Sequence, residues 1–318
     1  MNSITKLDEL AIENGIDLSV NLAGVTLNNP ITTASGTFSP KESSEFYDLN
    51  ELGAMVTKGI ASVPWDGNPV PRIAETYGGM INAVGLQNPG VEYYLANEVP
   101  FARKFNTKII ANVAGHSIEE YCDVVEKMSE ADVDMLEVNI SCPNVKEGGI
   151  GFGTSAMMAA KVTKEVRRRT NKPMLIKLTP NVTDITEIAK AVESEGADGL
   201  SLINTLVGMR IDVHKKRPVI ANKMGGFSGP AIKPVAVRMV YQVRRAVDIP
   251  ILGLGGIMTG EDVAEFIMAG ADAVSIGTAA FANPTAPVDI KRELIEYMLR
   301  YKFKNLKEIR DSFEYYNK

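Results

Sequence analysis

Two lysines, a group of asparagines, one loop cysteine and several glycine-rich turns hold the chemically capable positions of this sequence. Cys142 stands in Ser141-Cys142-Pro143-Asn144, where Pro143 restrains the backbone and Gly148-Gly149 follow. A free thiol titrates at about 8.5, so a modest shift makes such a cysteine a usable proton acceptor. Chemistry alone leaves a catalytic and a structural reading of Cys142 equally open. Cys122 is different: it shares an apolar helical stripe with Ile118, Tyr121, Val125 and Met128 and reads as packing. Lys58, in Thr57-Lys58-Gly59, and Lys177, in Ile176-Lys177-Leu178, each end a short apolar run. A buried ammonium needs a partner, so each could form a Schiff base, hold an anion, or stabilise negative charge on a cofactor ring. Pairing of Lys177 with a carboxylate is not expected, because Glu137 falls in the middle of its run rather than at an end. Gly255-Gly256 and Gly277-Thr278 each lead into a helix, an arrangement that lets backbone N–H groups approach a phosphate.

The elements that must position these residues are legible as an alternation. Short apolar runs at 30–34, 54–57, 108–113, 135–140, 174–178, 199–203, 250–254 and 273–276 are bounded by Gly, Pro or Asn, as fully buried parallel strands are. Between them lie amphipathic stretches, among them 117–130, 154–169, 183–195 and 260–269. Eight such units predict an α/β fold, a (β/α)8 TIM barrel, in a single domain over 1–318. A doubly wound open sheet is the rival, but no Gly-x-Gly-x-x-Gly opens the chain. Residues 17–27 predict an N-terminal β-hairpin across Gly24, and the Pro-, Gly- and Asn-rich stretch 61–89 predicts an active-site lid excursion after strand two. Trp65 should anchor that excursion by packing, and residues 302–318 should form a surface helix.

Composition narrows the class. The chain has 318 residues, 45% of them hydrophobic, and a formal charge of -5, which argues against nucleic-acid binding. No charge-free apolar run is long enough for a membrane span, and the first residues lack a signal-peptide pattern. With 2 Cys and 2 His there is no disulfide framework and no four-thiolate iron–sulfur site, which points to a reducing, cytoplasmic setting. His116 and His214 have no second ligand at metal spacing and read as solvated surface, so no metal is expected.

Barrels of this kind carry chemistry at the C-terminal strand ends. There the alternation places Ser35, Lys58, Gly59, Asn112, Asn139, Cys142, Lys177, Ile203, Asn204, Thr205, the glycine pair and Gly277-Thr278. So many polar groups at one end imply a polar ligand.

From about residue 18 to 282 the chain resembles the class 1 dihydroorotate dehydrogenases, FMN-containing barrels of pyrimidine synthesis. The resemblance is carried by Ala-Ser-Gly-Thr-Phe at 34–38, Thr-Lys-Gly at 57–59, Asn-Ala-Val-Gly-Leu-Gln-Asn-Pro-Gly at 82–90, and Asn-Ile-Ser-Cys-Pro-Asn-Val-Lys-Glu-Gly-Gly at 139–149. Ile-Lys-Leu-Thr-Pro-Asn at 176–181, Ile-Asn-Thr at 203–205, Ser-Gly-Pro at 228–230, Gly-Gly-Ile at 255–257 and Ile-Gly-Thr at 276–278 continue it. It implies FMN contacts from Ser35, Lys58, Gly59, Asn112, Asn139, Lys177, Ile203, Gly229, Gly255, Gly256, Gly277 and Thr278. It implies that dihydroorotate or orotate is held by Lys58, Asn82, Ala83, Val84, Gly85, Leu86, Asn139, Asn204 and Thr205, joined by Asn144. Cys142 would be the base that takes the C5 proton while the C6 hydride moves to the flavin, with Lys58 beside it. Membrane-bound class 2 members place serine where Cys142 stands.

The loop at 85–90 and Val-Lys-Glu-Gly-Gly at 145–149 are similar to the NAD-linked class 1B catalytic subunits. Those work with an iron–sulfur flavoprotein subunit carrying FAD and a [2Fe–2S] cluster, around a homodimer core of a heterotetramer. The chain departs from that subclass at Tyr77-Gly78-Gly79 and Lys223-Met224, which bear on the lid and not on the chemistry. The alternatives are a class 1A-like, fumarate-linked enzyme and, in another class, a Schiff-base aldolase using Lys177.

Overall fold

A computed structural model describes residues 5–141, 146–147 and 150–316, with side chains described at 5–141 and 151–316. Its centre is a closed barrel of parallel strands β1 Ile31–Thr33, β2 Ala54–Val56, β3 Lys108–Val113, β4 Met135–Asn139, β5 Met174–Lys177, β6 Gly199–Leu202, β7 Ile251–Leu254 and β8 Ala273–Ile276. Each strand neighbours the next in sequence, and β8 closes on β1 through Val274↔Ile31 and Ile276↔Thr33. Apart from the partly exposed Lys108, every residue of these strands is buried, because the core fills one face and the helical layer covers the other. That double burial is why they read as unbroken apolar runs.

Helices follow the strands. Ile118–Glu130 is capped by Ser117, Ala156–Arg167 by Ser155, Ile185–Ser194 by Asp184, and Gly260–Ala269 by a reciprocal Thr259–Asp262 capping box. Two expected helices are therefore shorter than 154–169 and 183–195: Phe152–Thr154 form a separate 3-10 turn, and the Ser155 and Asp184 side chains satisfy the first free N–H groups. After β1 the helix is reduced to the single turn Pro40–Ser43.

The hairpin is where the sequence places it, Val20–Leu22 against Val25–Leu27. Its Leu22 and Leu27 are completely buried and pack with Ala54, Val56, Ile110, Met135, Leu175, Leu252 and Ala273. It therefore plugs the end of the barrel where the strands begin and leaves the other end for chemistry.

The lid corrects the expectation of one excursion. The hairpin Ile73–Thr76 and Gly79–Asn82 is joined by Leu206–Met209 and Met224–Ser228, from the connection after β6, in a four-stranded antiparallel sheet. Phe227 lies opposite both Leu206 and Ile81 and locks the two excursions together. Gly225 is required there: a Cβ would stand 2.8 Å from the Ile220 side chain and closer still to the Asn82 carbonyl. The C-terminal expectation also changes. Among the described residues of that stretch only Leu306–Asp311 is helical, and Leu306 and Ile309 are buried, so this segment packs on the barrel rather than lying free at the surface.

A buried charge network ties the N-terminal helix Lys6–Glu13 to the helix Ala286–Tyr301. Lys291 is fully buried and its Nζ lies 2.7 Å from both Asp8 Oδ1 and Glu51 Oε2. Removing one member strands the others in a medium that solvates them poorly. Lys291→Met is expected to lower unfolding free energy by about 3–5 kcal/mol, read as a fall in the urea midpoint; a loss below ~1 kcal/mol would mean the network is idle.

Candidate active site

The C-terminal strand ends and the two excursions enclose a cavity of about 480 Å³. Its walls include Ser35, Lys58, Gly59, Asn82, Ala83, Val84, Gly85, Leu86, Asn139, Lys177, Ile203, Asn204, Thr205, Gly229, Gly255, Gly256, Gly277 and Thr278. Every site residue expected from the sequence is thus brought together here, with three exceptions. Asn112 is completely buried behind Gly59, where a Cβ would meet its Oδ1 at 3.2 Å. Cys142 and Asn144 lie outside the described residues; the chain enters that segment from Ser141.

The two lysines have opposite surroundings. Lys58, just beyond β2, is partly buried, and desolvation holds its ammonium below the ordinary 10.5. Among the described residues no carboxylate pairs with it, so its charge is open to an anionic ligand. Lys177, at the end of β5, is paired: its Nζ lies 3.5 Å from Glu137 Oε2, with both side chains buried. This corrects the expectation that Lys177 lacks a carboxylate partner. Glu137 is mid-strand, but β4 neighbours β5 with Asn139 opposite Lys177, so the acid lies one pleat below the lysine and within its reach. Glu137 also accepts a hydrogen bond from Asn112 Nδ2, and Asn112 Oδ1 is left buried with no partner among the described residues.

Beside this trio, beginning at Asn139 on the same strand as Glu137, runs a chain of polar contacts that includes Ser141, which the motifs alone do not assign. Ser141 Oγ donates to Asn139 Oδ1 at 2.5 Å and accepts from Asn204 Nδ2 at 2.5 Å, and Asn204 Oδ1 accepts from the Thr205 N–H at 2.7 Å. Tyr121 fixes the Asn139 backbone by donating to its carbonyl at 2.7 Å. Asn181 braces the start of the second excursion, donating to the Thr205 carbonyl and accepting from Val207 N–H. These bonds hold the two asparagines at set orientations on the wall. Ser141 and Asn181 lie inside the quoted motifs, and only the fold reveals what they orient. On the lid side Asn68 donates to the Ala83 carbonyl, and Arg72 in turn holds Asn68 and Gln87.

The third wall is backbone. Gly229, Gly255 and Gly256 have φ of +111, +129 and +82°, a region in which other residues are strained. A Cβ on Gly256 would stand 2.8 Å from the Gly229 carbonyl oxygen. Thr278 donates to Ser228 Oγ at 2.8 Å, linking the turn after β8 to the lid. Bare N–H groups at two neighbouring strand ends suit a phosphate.

Elsewhere the expectations divide. Trp65 anchors its excursion by backbone pairing with Asn88 and by stacking on His116, whose ring lies 3.8 Å away. His116 is thus packed on one side and not simply solvated. Cys122 is buried, and burial pushes its thiol up. Among the described residues no group of His, Cys, Asp and Glu could hold a metal, and no helix is long and apolar enough to cross a membrane.

Known proteins agree with the geometry. The family model described as dihydroorotate dehydrogenase matches residues 17–298. The chain is 62% identical over 298 residues to the protein of Alkaliphilus metalliredigens named dihydroorotate dehydrogenase B (NAD(+)), catalytic subunit, covering 93% of this chain and 99% of that one. A protein of the same name from Lachnoclostridium phytofermentans is 57% identical over 295 residues, covering 92% and 98%. Among solved structures, the dihydroorotate dehydrogenase of Eimeria tenella in complex with ferulenol superposes with a TM-score of 0.76 at 21% identity, covering 94% of this chain and 89% of that one, a likeness of fold. This chain belongs to the dihydroorotate dehydrogenase family.

Proposed function

We propose that the chain oxidises dihydroorotate to orotate in pyrimidine biosynthesis, as the NAD-linked catalytic subunit its relatives are named for. The observation that carries this reading is the uncompensated Lys58 ammonium facing the same cavity as Asn82, Asn139, Asn204 and Thr205. The substrate is a carboxylate on a ring of alternating N–H donors and carbonyl acceptors. A lysine without a carboxylate partner suits the first, and asparagine amides, donor and acceptor at once, suit the second.

The other half of the cavity fits FMN. Gly255, Gly256 and Gly277 would hold its phosphate through backbone N–H groups, helped by Gly229 and Thr278, and Ser35, Gly59, Ile203 and Lys177 would line its ring. The orphaned Asn112 Oδ1 is an independent sign that a donor belongs nearby. When bound, FMN supplies the acceptor for the substrate's C6 hydride and relays the electrons onward. Lys58 binds the substrate carboxylate, the asparagines orient the ring, and the lid sheet excludes water. Cys142, assigned by the resemblance alone, takes the C5 proton, and the same resemblance assigns Asn144 to the substrate.

The same reading makes 1–318 a single FMN-binding domain that acts in the cytoplasm as the homodimer core of a heterotetramer. Its partner is an iron–sulfur flavoprotein with FAD and a [2Fe–2S] cluster, since 2 cysteines cannot hold a cluster here. The NAD-linked name of the relatives favours this over fumarate as acceptor. The buried ion pair of Lys177 with Glu137 disfavours a Schiff-base aldolase, which needs a free amine.

Three outcomes are expected. The isolated chain should purify yellow and be bleached by dihydroorotate, yet turn over NAD only after its partner is added; a colourless chain, or full NAD turnover without a partner, contradicts the assignment. Cys142→Ala should slow anaerobic flavin reduction by about 10²–10⁴-fold while FMN stays bound, and an unchanged rate would move the base elsewhere. Orotate affinity should depend on pH through Lys58. Because burial lowers its pKa below 10.5, the cation is lost earlier than that of an exposed lysine as pH rises. Binding should therefore weaken on the alkaline side of neutrality, and Lys58→Gln should be weak and flat over that window.

A further inference from the structure

We propose that Glu137 is a positioning residue of this cavity, presenting Lys177 and Asn112 together to the ring of the bound cofactor. The inference rests on the FMN reading above.

Glu137 is 1% exposed and does not itself line the cavity. Burying a carboxylate is costly, and an apolar replacement of such a pair is often as stable, so stability alone is a weak reason for an acid at this position. What the acid does is geometric. Asn112 is opposite Glu137 on β3 and Lys177 is opposite Asn139 on β5, so Glu137 is flanked on both sides by donors. An ionised carboxylate accepts and cannot donate. Asn112 must therefore turn its Nδ2 group toward Glu137, which leaves Oδ1 pointing away with no partner among the described residues. A buried acceptor left without a partner is costly, and a ligand N–H arriving at this oxygen would satisfy it. Gly59 keeps the approach open: it lines the cavity, and a Cβ there would press on Asn112 Oδ1.

On the other side, Lys177 reaches the cavity with its charge partly balanced from below. Glu137 thus sets a muted cation and an acceptor close together. Their complement is a ring edge that offers a carbonyl or developing negative charge beside an N–H, the edge of a cyclic imide or ureide. The pyrimidine portion of a flavin has that edge.

The test uses FMN-loaded protein and two spectroscopic readouts that a purely structural residue would not move: sulfite affinity, followed by loss of visible absorbance, and the flavin midpoint potential. Glu137→Gln keeps the size and an acceptor oxygen but removes the charge. With Lys177 no longer balanced, sulfite should bind about tenfold more tightly, and the two-electron midpoint should rise by about 30 mV, the equivalent of that tenfold change. Wild-type values for both would overturn the proposal. Should Glu137→Gln fail to fold, the comparison is made between Lys177→Gln and the double variant Lys177→Gln/Glu137→Gln. The double variant should bind sulfite about tenfold more tightly than the single, because the stranded carboxylate is gone; equal affinities would overturn the proposal. If the wild-type chain takes up no FMN, the FMN reading fails and this inference with it. A wild type that binds FMN with sulfite affinity indifferent to Glu137 sinks the inference alone.

Discussion

Closing a parallel sheet into a barrel leaves almost no solvent for anything on its strands. Every polar atom inside must find a partner in the protein or in a ligand, and the rest of this structure depends on that constraint. The chain answers it differently at the two ends. Where the strands begin, the hairpin inserts Leu22 and Leu27 and makes a dry plug. Where they finish, lysines, asparagines and bare glycine N–H groups gather under a two-part lid. The polar end is satisfied only in part by the protein itself, and what is left unsatisfied defines the ligand.

The contrast between the two lysines shows this best. Both lie at strand ends, both line the cavity, and they do different work because of what stands below them. Lys177 has Glu137 beneath it and offers a balanced charge, fitted to sit against a cofactor ring. Lys58 has no acidic partner among the described residues and is desolvated, so it offers a full charge to whatever anion enters. The same principle separates the amides. Asn139 and Asn204 are tied through Ser141, whereas Asn112 is turned by Glu137 so that its oxygen waits for a donor.

Much of this was legible in the sequence, for identifiable reasons. The barrel strands were readable because burial on both faces turns them into continuous apolar runs, and the strand-end residues followed once the strands were placed. The Gly255-Gly256 turn was readable because its φ values disfavour other residues. What escaped depended on contacts distant in the chain. The lid's second half has weak strand character: Leu206–Met209 pairs with Met224–Ser228, and that strand in turn pairs with Gly79–Asn82, more than a hundred residues earlier. Glu137 reads from the sequence only as a mid-strand acid, because its reach to Lys177 requires the register of two neighbouring strands. Ser141 stood inside a quoted motif, but its role in joining two asparagines appears only when β4 and the β6 loop come together.

The central claim is that an unbalanced Lys58 selects a carboxylate-bearing pyrimidine. The most direct measurement compares orotate with uracil, the same ring without the carboxylate, as ligands of the FMN-loaded chain and of its Lys58→Met variant. Wild-type protein should prefer orotate by about a hundredfold or more, the scale of a charge pair made in a desolvated site, and Lys58→Met should erase that preference. Equal binding of the two ligands by the wild type, or a preference that survives the loss of Lys58, would contradict the account.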